Sequence, residues 1–396
     1  LAPLILVRFI FILQSFFMFP TITSLPFLQL ASGDRLSLQV YKFVGNRPGK
    51  KVYIQSNLHG SEISGNAVIH QAIEWLIGLE ATQLAGEIWL VPVCNPLGVN
   101  FRSHYFAGGR FNPYDGRDWN RIFWDYEKTE VEIMAFAKLH LNDELDTIQQ
   151  HYRQGIRASF AQLVEGLKAP SSAPLFEQYR VQLQSLCLDA DYVLDLHTSA
   201  GYGLDYLFYF QRREQGARSF LLPVGLLLDR YDGDAFDEAF IKPWLALETC
   251  FAQLGREIQF DIEAYTLELG SAMQCHPASV TNGLRGIKNY LIQKGMITDP
   301  DFPSPIPAAT STRLTPRDSV KKYFAPTGGM VQPLVSLASL VESEQPLYRI
   351  LSFNKEAQLP ALVSVGAERS GFVFDVSATQ AVNQGEYVMA ILQEEL

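Results

Sequence analysis

The sequence predicts an α/β fold, a mixed, mostly parallel sheet flanked by helices, followed by a small all-β C-terminal domain. Three observations carry this. Short apolar runs alternate with segments of helical period as far as residue 294, a proline-rich stretch occupies 298–316, and beyond it only short β-like runs remain. In chain order, Val52 to Asn57 (VYIQSN) reads as a strand, and after the turn LHGSEISG the apolar residues Ile69, Ile73 and Leu76 recur on one helical face. Glu87–Val93, Tyr192–Thr198, Leu204–Phe210 and Glu263–Leu269 read as further strands. Residues 128–164 read as largely helical, KAPSSAP at 168–174 as a loop before another helical stretch, and Ala278–Lys294 as a helix. The segment TDPDFPSPIPAATSTRLTP marks a linker with a boundary near 310, and GMVQPLVSL, PLYRIL, ALVSV, GFVFDV and YVMAIL after it supply the all-β module. The division expected is therefore 1–25 as an apolar N-terminal segment, 26–310 as the α/β domain and 311–396 as the β-rich domain.

Composition narrows the function. The chain has 396 residues, enough for two or three domains. Forty-two acidic against 32 basic side chains give a formal charge of −10, with no long run of Lys or Arg, which argues against a nucleic-acid partner and for small substrates. Four widely spaced cysteines (Cys94, Cys187, Cys250, Cys275) exclude a disulfide scaffold and a C-x-x-C motif, and read as packing residues. Residues 1–19 are apolar but interrupted by Arg8 and by Gln14-Ser15, so no stable membrane association is expected. Because the chain opens on Leu1 and its first methionine is Met18, the leading 17 residues read as upstream sequence outside the natural product. The location expected is cytoplasmic, or periplasmic or secreted if that segment is a genuine signal.

The chemistry concentrates at the ends of the expected strands. His59 and Glu62 lie three positions apart in the turn after the first strand, so both can reach one cation. His197 ends the third strand and Glu268 the fifth, and the carboxyl ends of parallel strands face the crevice where α/β proteins bind ligands. Two imidazoles and one carboxylate leave a fourth position open on zinc, with a separate glutamate to take a proton. The loop Asn95–Arg121 adds arginines, whose fixed N–H donors suit carboxylates and oxyanions. The remaining histidines, His140 and His151 among them, form no second ligand set in this reading.

Together, His59-x-x-Glu62, NPxG at 95–98, D-x-N-R at 118–121, DLHT at 195–198 and TLELG at 266–270 resemble the succinylglutamate desuccinylase and aspartoacylase family, a branch of the zinc carboxypeptidase superfamily. The likeness runs from about Leu36 to Lys294, and the C-terminal module resembles the β-domain of such proteins, without the lysine of a swinging-cofactor carrier. The resemblance implies one zinc per chain held by His59, Glu62 and His197, with Glu268 as general base and then general acid. Asp118 would steady a zinc-bound histidine through its other ring nitrogen. Asn120 and Arg121 would grip a substrate carboxylate, and Arg110 would stabilise the oxyanion, with Arg102 and Arg117 as alternatives in the same loop. The activity implied is a zinc-dependent deacylase for an N-acylated amino acid or similar carboxylate-bearing small molecule. The alternatives are a metallocarboxypeptidase acting on peptides and a non-catalytic small-ligand binder; self-association is left open.

Overall fold

Strands whose both faces are apolar can only be buried between helices, and the central strands of this chain have that character. The computed structural model describes residues 17–104, 107–129, 132–231, 234–302 and 312–393. Among them, strands run in chain order as β1 (Thr21–Gln29), β2 (Arg35–Val44), β3 (Arg47–Ser56), β4 (Ala85–Val91), β5 (Tyr192–Ser199), β6 (Tyr202–Gly203), β7 (Tyr206–Phe210), β8 (Val224–Leu228), β9 (Glu263–Ser271) and β10 (Arg313–Pro316). All but β6 form one sheet in the order β1-β2-β4-β3-β5-β9-β7-β8-β10. The sheet is mixed: β4-β3-β5-β9 is a parallel block, β7-β8-β10 a second one, and β9–β7 joins them antiparallel.

Strand period sorts the side chains. On β5, Tyr192, Leu194 and Leu196 enter the core beneath the helices Ser64–Ile77 and Pro277–Gln293, while Val193 enters the core on the opposite face, beneath Phe236–Gln253. Asp195 and His197 follow Val193 on that second face, because side chains two apart share a side. Gln55 on β3 and Thr266 on β9 stand level with Asp195 in the paired register. One face of the parallel block thus changes from apolar to polar toward its carboxyl ends.

The helical stretch expected at 128–164 is two helices, Ile133–Leu139 and Leu145–Gly166. They part around Asn142-Asp143, where the Arg256 guanidinium donates to the carbonyls of both Leu141 and Asp143 at 2.7 Å. Sequence reading passed over four strands of the main sheet. β1 and β2 sit at one edge, so only one face of each is strongly apolar. β8 is five residues long, and β10 lies inside the stretch read as a linker. Residues 21–25, within the stretch read as an apolar N-terminal segment, pair with β2, and Arg313–Pro316 pairs with β8 in the main sheet. Residues 1–16 and the middle of the proline-rich stretch, 303–311, lie outside the described residues.

The C-terminal module is β11 (Val320–Phe324), β12 (Gly329–Pro333), β13 (Leu340–Val341), β14 (Pro346–Ser352), β15 (Ala361–Gly366), β16 (Gly371–Val376), β17 (Ala381–Val382) and β18 (Tyr387–Gln393). They form two antiparallel sheets, β11-β18-β16-β13 and β15-β14-β12-β17. The short strand β6 leaves the catalytic body to pair with β16, and this places one edge of the module over the carboxyl end of the main sheet. No described helix is long and apolar enough to cross a membrane.

A buried ion pair ties the sheet to the helix above it. Arg213, its side chain fully enclosed, makes a fork to Glu248 at 2.9 and 2.7 Å and donates to the carbonyl of Ile262 at 3.1 Å, just before β9. Removing one member of such a pair leaves the other buried and uncompensated. Arg213→Ala should therefore lower stability by about 3–5 kcal/mol in urea unfolding, and a loss under 1 kcal/mol would show that the pair carries no structural weight.

Candidate metal centre and active-site cavity

His59 enters the site because β3 ends at Ser56 and the chain turns at once, with Asn57 in the left-handed region (φ 65°). Asn57 Nδ2 closes the turn onto the Glu62 carbonyl at 2.8 Å. The turn is then clamped against the next loop backbone to backbone. Gly60 N–H donates to Gly109 O at 3.1 Å and Ser61 N–H to Gly108 O at 3.0 Å. A Cβ on Gly60 would stand 2.0 Å from the Gly98 carbonyl oxygen, so only glycine fits. Gly109, at φ +57°, meets the same carbonyl. This contact delivers Arg110 and Asp118 to His59; the loop between them folds back on itself, with Phe111 bridged to Asp118 and Trp119 N–H bonded to Arg110 O.

The geometry converges on Glu62. His59 Nδ1 lies 2.8 Å from Glu62 Oε1 and His197 Nδ1 lies 2.7 Å from Oε2, all three residues being buried. Each imidazole turns its other nitrogen to a separate carboxylate: His59 Nε2 is 3.1 Å from Asp118 Oδ1, and His197 Nε2 is 3.0 Å from Asp195 Oδ2. His59 Nε2 is hydrogen-bonded to Asp118, whereas His197 Nε2 lies close to Asp195 Oδ2 without a hydrogen bond to it, and both Nδ1 atoms face the oxygens of one carboxylate. That arrangement is repulsive unless positive charge stands between them. Burial alone would lower His59 and His197, but the neighbouring carboxylates outweigh it and hold both above the usual imidazole value, which favours their charged forms. Burial alone would raise Glu62, yet His59 and His197 hold it well below the usual carboxylate range. One divalent cation answers the same demand with the same three donor groups, which lie within 4.8 Å of one another. The residues therefore fit a metal, and the carboxylate on each Nε2 is the support that metal-bound histidines commonly have.

Behind this stands a buried chain that sequence reading did not assign. Asp195 Oδ1 accepts from Gln55 Nε2 at 3.0 Å, and Gln55 Oε1 accepts from Tyr53 O–H at 2.9 Å. The signal for Asp195 was present in the sequence, since a residue two before His197 on one strand shares its face.

Glu268 is the cross-strand partner of His197. The residue is half-buried, but its Oε2 is enclosed and has no hydrogen-bond partner. Burial pushes its carboxyl up to about 7, with His197 pulling down and Glu62 pushing further up. Of the three arginines held open as alternatives, Arg110 alone stands at this centre. Its Nε is 2.9 Å from Asp118 Oδ2 and one terminal nitrogen is 3.2 Å from His59 Nδ1. Arg102 folds back on the carbonyls of Val99 and Phe101, and Arg117 lies over the Phe176 ring. Asn120 and Arg121 line the same cavity, which has a volume of about 590 Å³. The Asn120 oxygen, however, is committed to Phe236 N–H at 2.8 Å, which ties the turn to the start of the helix Phe236–Gln253.

One expectation is corrected. His140, Asp143 and His151 do come together, with His140 Nδ1 2.6 Å from Asp143 and the two imidazoles 5.1 Å apart. The break between the two helices turns back on itself and brings these ends together, a return that spacing alone did not show. The cluster lies on the partly exposed side of the helical insertion.

The fold and the cavity define an α/β protein with a candidate metal site at the carboxyl ends of its parallel strands. The family description "Succinylglutamate desuccinylase/Aspartoacylase catalytic domain" matches residues 48–293, and the chain belongs to this family of deacylase-type hydrolases. A family protein of Shewanella amazonensis SB2B is 31% identical, with a TM-score of 0.83 over 94% of this chain and 99% of its own. A candidate succinylglutamate desuccinylase/aspartoacylase from Shewanella frigidimarina NCIMB 400 is 28% identical, with a TM-score of 0.84 over 95% and 98%. The ectoine utilization protein EutE (DoeB) from Ruegeria pomeroyi, in its product-bound structure, shares the fold at 17% identity and a TM-score of 0.64, over 96% and 97%. No curated protein matches the chain.

The glycine contact is testable. Gly60→Ala forces the turn and the Arg110 loop apart, so it should cost about 1–3 kcal/mol in denaturant unfolding, the usual range for overpacking. Wild-type stability would show that the two backbones have room to separate.

Proposed function

We propose that the protein is a zinc-dependent amidohydrolase that removes a small acyl group from an N-acylated amino acid or a similar carboxylate-bearing small molecule. The observation that carries this reading is Glu268: a carboxylate with an enclosed, unpartnered oxygen, beside a histidine of the candidate metal triad and pushed up toward neutrality. A binding protein has no use for such a group. A divalent cation held by His59, Glu62 and His197, one per chain, would polarise an amide carbonyl and acidify water. Everything else falls to the protein. Glu268 takes a proton from water as its oxygen attacks the carbonyl carbon, and returns that proton to the amine nitrogen as the C–N bond breaks. The Arg110 guanidinium, anchored by Asp118, directs N–H donors at the oxygen that gains charge. Arg121, with the amide nitrogen of Asn120, takes the carboxylate of the substrate. Residues of the C-terminal module, Lys322 and Asp375 among them, close the cavity from above, which favours a small molecule over a peptide.

Glu268→Gln should reduce kcat for N-acyl amino acids by about 10²- to 10⁴-fold with metal content retained, and near-normal turnover would refute the assignment. The same substitution removes a charge that the fold disfavours. Because the folded carboxyl stands above its unfolded value, its ionisation costs stability above pH 7 and the cost disappears as pH falls toward the unfolded value. Glu268→Gln should thus be more thermostable than wild type at pH 8 and lose that advantage near pH 4.5; equal melting temperatures at both would contradict the burial argument.

For the wild type, kcat/KM should rise with pH along an acid limb centred near 7, where burial holds the Glu268 carboxyl. A limb centred above pH 8 would point to another base. Arg110→Ala should cost about 10²- to 10³-fold, mainly in kcat; a comparable loss in Arg102→Ala or Arg117→Ala, with Arg110→Ala unaffected, would move the role.

A further inference from the structure

The cavity has a second wall that the catalytic steps leave without a task. It forms where β6 pairs with β16, Gly203 opposite Asp375 and Tyr202 opposite Val376. Tyr206, Phe374, Asp375 and Tyr387 there line the same cavity as His59, Glu62, His197 and Glu268. The rings pack closely, Tyr206 and Phe374 with centroids 4.7 Å apart. Tyr206 is also the register partner of Glu268 across β7 and β9, so this wall begins one residue away from the proposed base.

Among these rings stands one carboxylate. Asp375 Oδ1 accepts the Tyr387 hydroxyl at 2.5 Å, and no described Lys or Arg is paired with it; Lys322 is the weakest of the influences on its charge. Burial pushes the Asp375 carboxyl up to about 6, and Tyr387 and Ser199 draw it back only in part. A carboxylate largely withdrawn from water and given one hydroxyl donor but no cation is a net cost to the fold. An asparagine could accept the Tyr387 hydrogen without that cost. A negative group set among aromatic faces is, however, the chemistry that recognises an organic cation.

We propose that Asp375, with the rings of Tyr206, Phe374 and Tyr387, forms a subsite for a cationic nitrogen, so that the substrate is an N-acylated amino acid whose side chain carries an ammonium or guanidinium group. The inference rests on the deacylase reading and narrows it. The cavity then has two recognising ends of opposite sign, with Arg121 for the carboxylate and Asp375 for the side-chain cation.

The test compares Nα-acetyl-ornithine and Nα-acetyl-lysine with their methyl isosteres, the Nα-acetyl derivatives of 2-aminohexanoate and 2-aminoheptanoate, on wild type and Asp375→Asn. Both members of each pair are measured on one preparation, so any loss of folded protein cancels in the ratio. Wild type should favour a cationic member by about tenfold or more in kcat/KM, as a hydrogen bond to a charged group allows, and Asp375→Asn should bring the ratio near one. A wild-type ratio near one, or a ratio that Asp375→Asn leaves unchanged, overturns the subsite while the deacylase reading stands. If no N-acyl compound is turned over, the deacylase reading fails separately, and calorimetry with the free amino acids decides the subsite. Ornithine or lysine binding at least tenfold tighter than its isostere, and losing that preference in Asp375→Asn, supports it. Equal binding, or none, overturns it.

Discussion

The structure of the site depends on one constraint: two imidazole lone pairs and one carboxylate are forced to share a space that tolerates them only with positive charge between. Glu62 is the hub, with one oxygen toward His59 and the other toward His197. The sheet imposes the meeting. β3 and β5 are hydrogen-bonded neighbours, the turn after β3 returns Glu62 over the end of β5, and the paired register sets Glu268 beside His197. His59 is fixed from behind by its hydrogen bond to Asp118. Behind His197 stands Asp195, itself held by the chain from Tyr53 through Gln55.

Two further layers make that centre usable. The approach of the His59 turn to the loop before Arg110, possible because Gly60 and Gly109 lack side chains, brings a guanidinium to the triad and Asp118 to the outer nitrogen of His59. The β6–β16 pairing brings the C-terminal module beside the site and gives the edge of the sheet a second wall, forming a cleft. Enclosure has an energetic consequence for catalysis: the burial that raises Glu268 toward neutrality also costs the fold stability whenever that group is ionised. A carboxylate with a free oxygen is a poor structural element and a serviceable base.

The parts legible in the sequence were those governed by short-range periodicity. His59 and Glu62 share one turn, and His197 and Glu268 each end an apolar strand, so their common edge followed from the fold class. Asp195 was legible by the same rule, two residues from His197, but its role needed the neighbouring Gln55 to become visible. The choice among Arg102, Arg110 and Arg117 was not legible, because it depends on how three glycine-containing backbones stack. Asp375 was further out of reach: nothing near it in the chain hints at chemistry, and its place in the cavity follows from a two-residue strand pairing between segments some 170 residues apart. β1, β2, β8 and β10 escaped for a related reason, since edge and very short strands lack the doubly apolar run that marks the centre of a parallel sheet.

The central claim, that the charge demanded between His59, Glu62 and His197 is met by a metal, is tested most directly by elemental mass spectrometry of the purified protein beside His197→Ala. The account predicts about one zinc per wild-type chain, surviving dialysis, and its loss in the variant, because removing one of three donors from a closely spaced set should cost most of the affinity. Wild-type protein that keeps no metal after zinc is offered and the excess dialysed away, or a variant that retains the full complement, would contradict it.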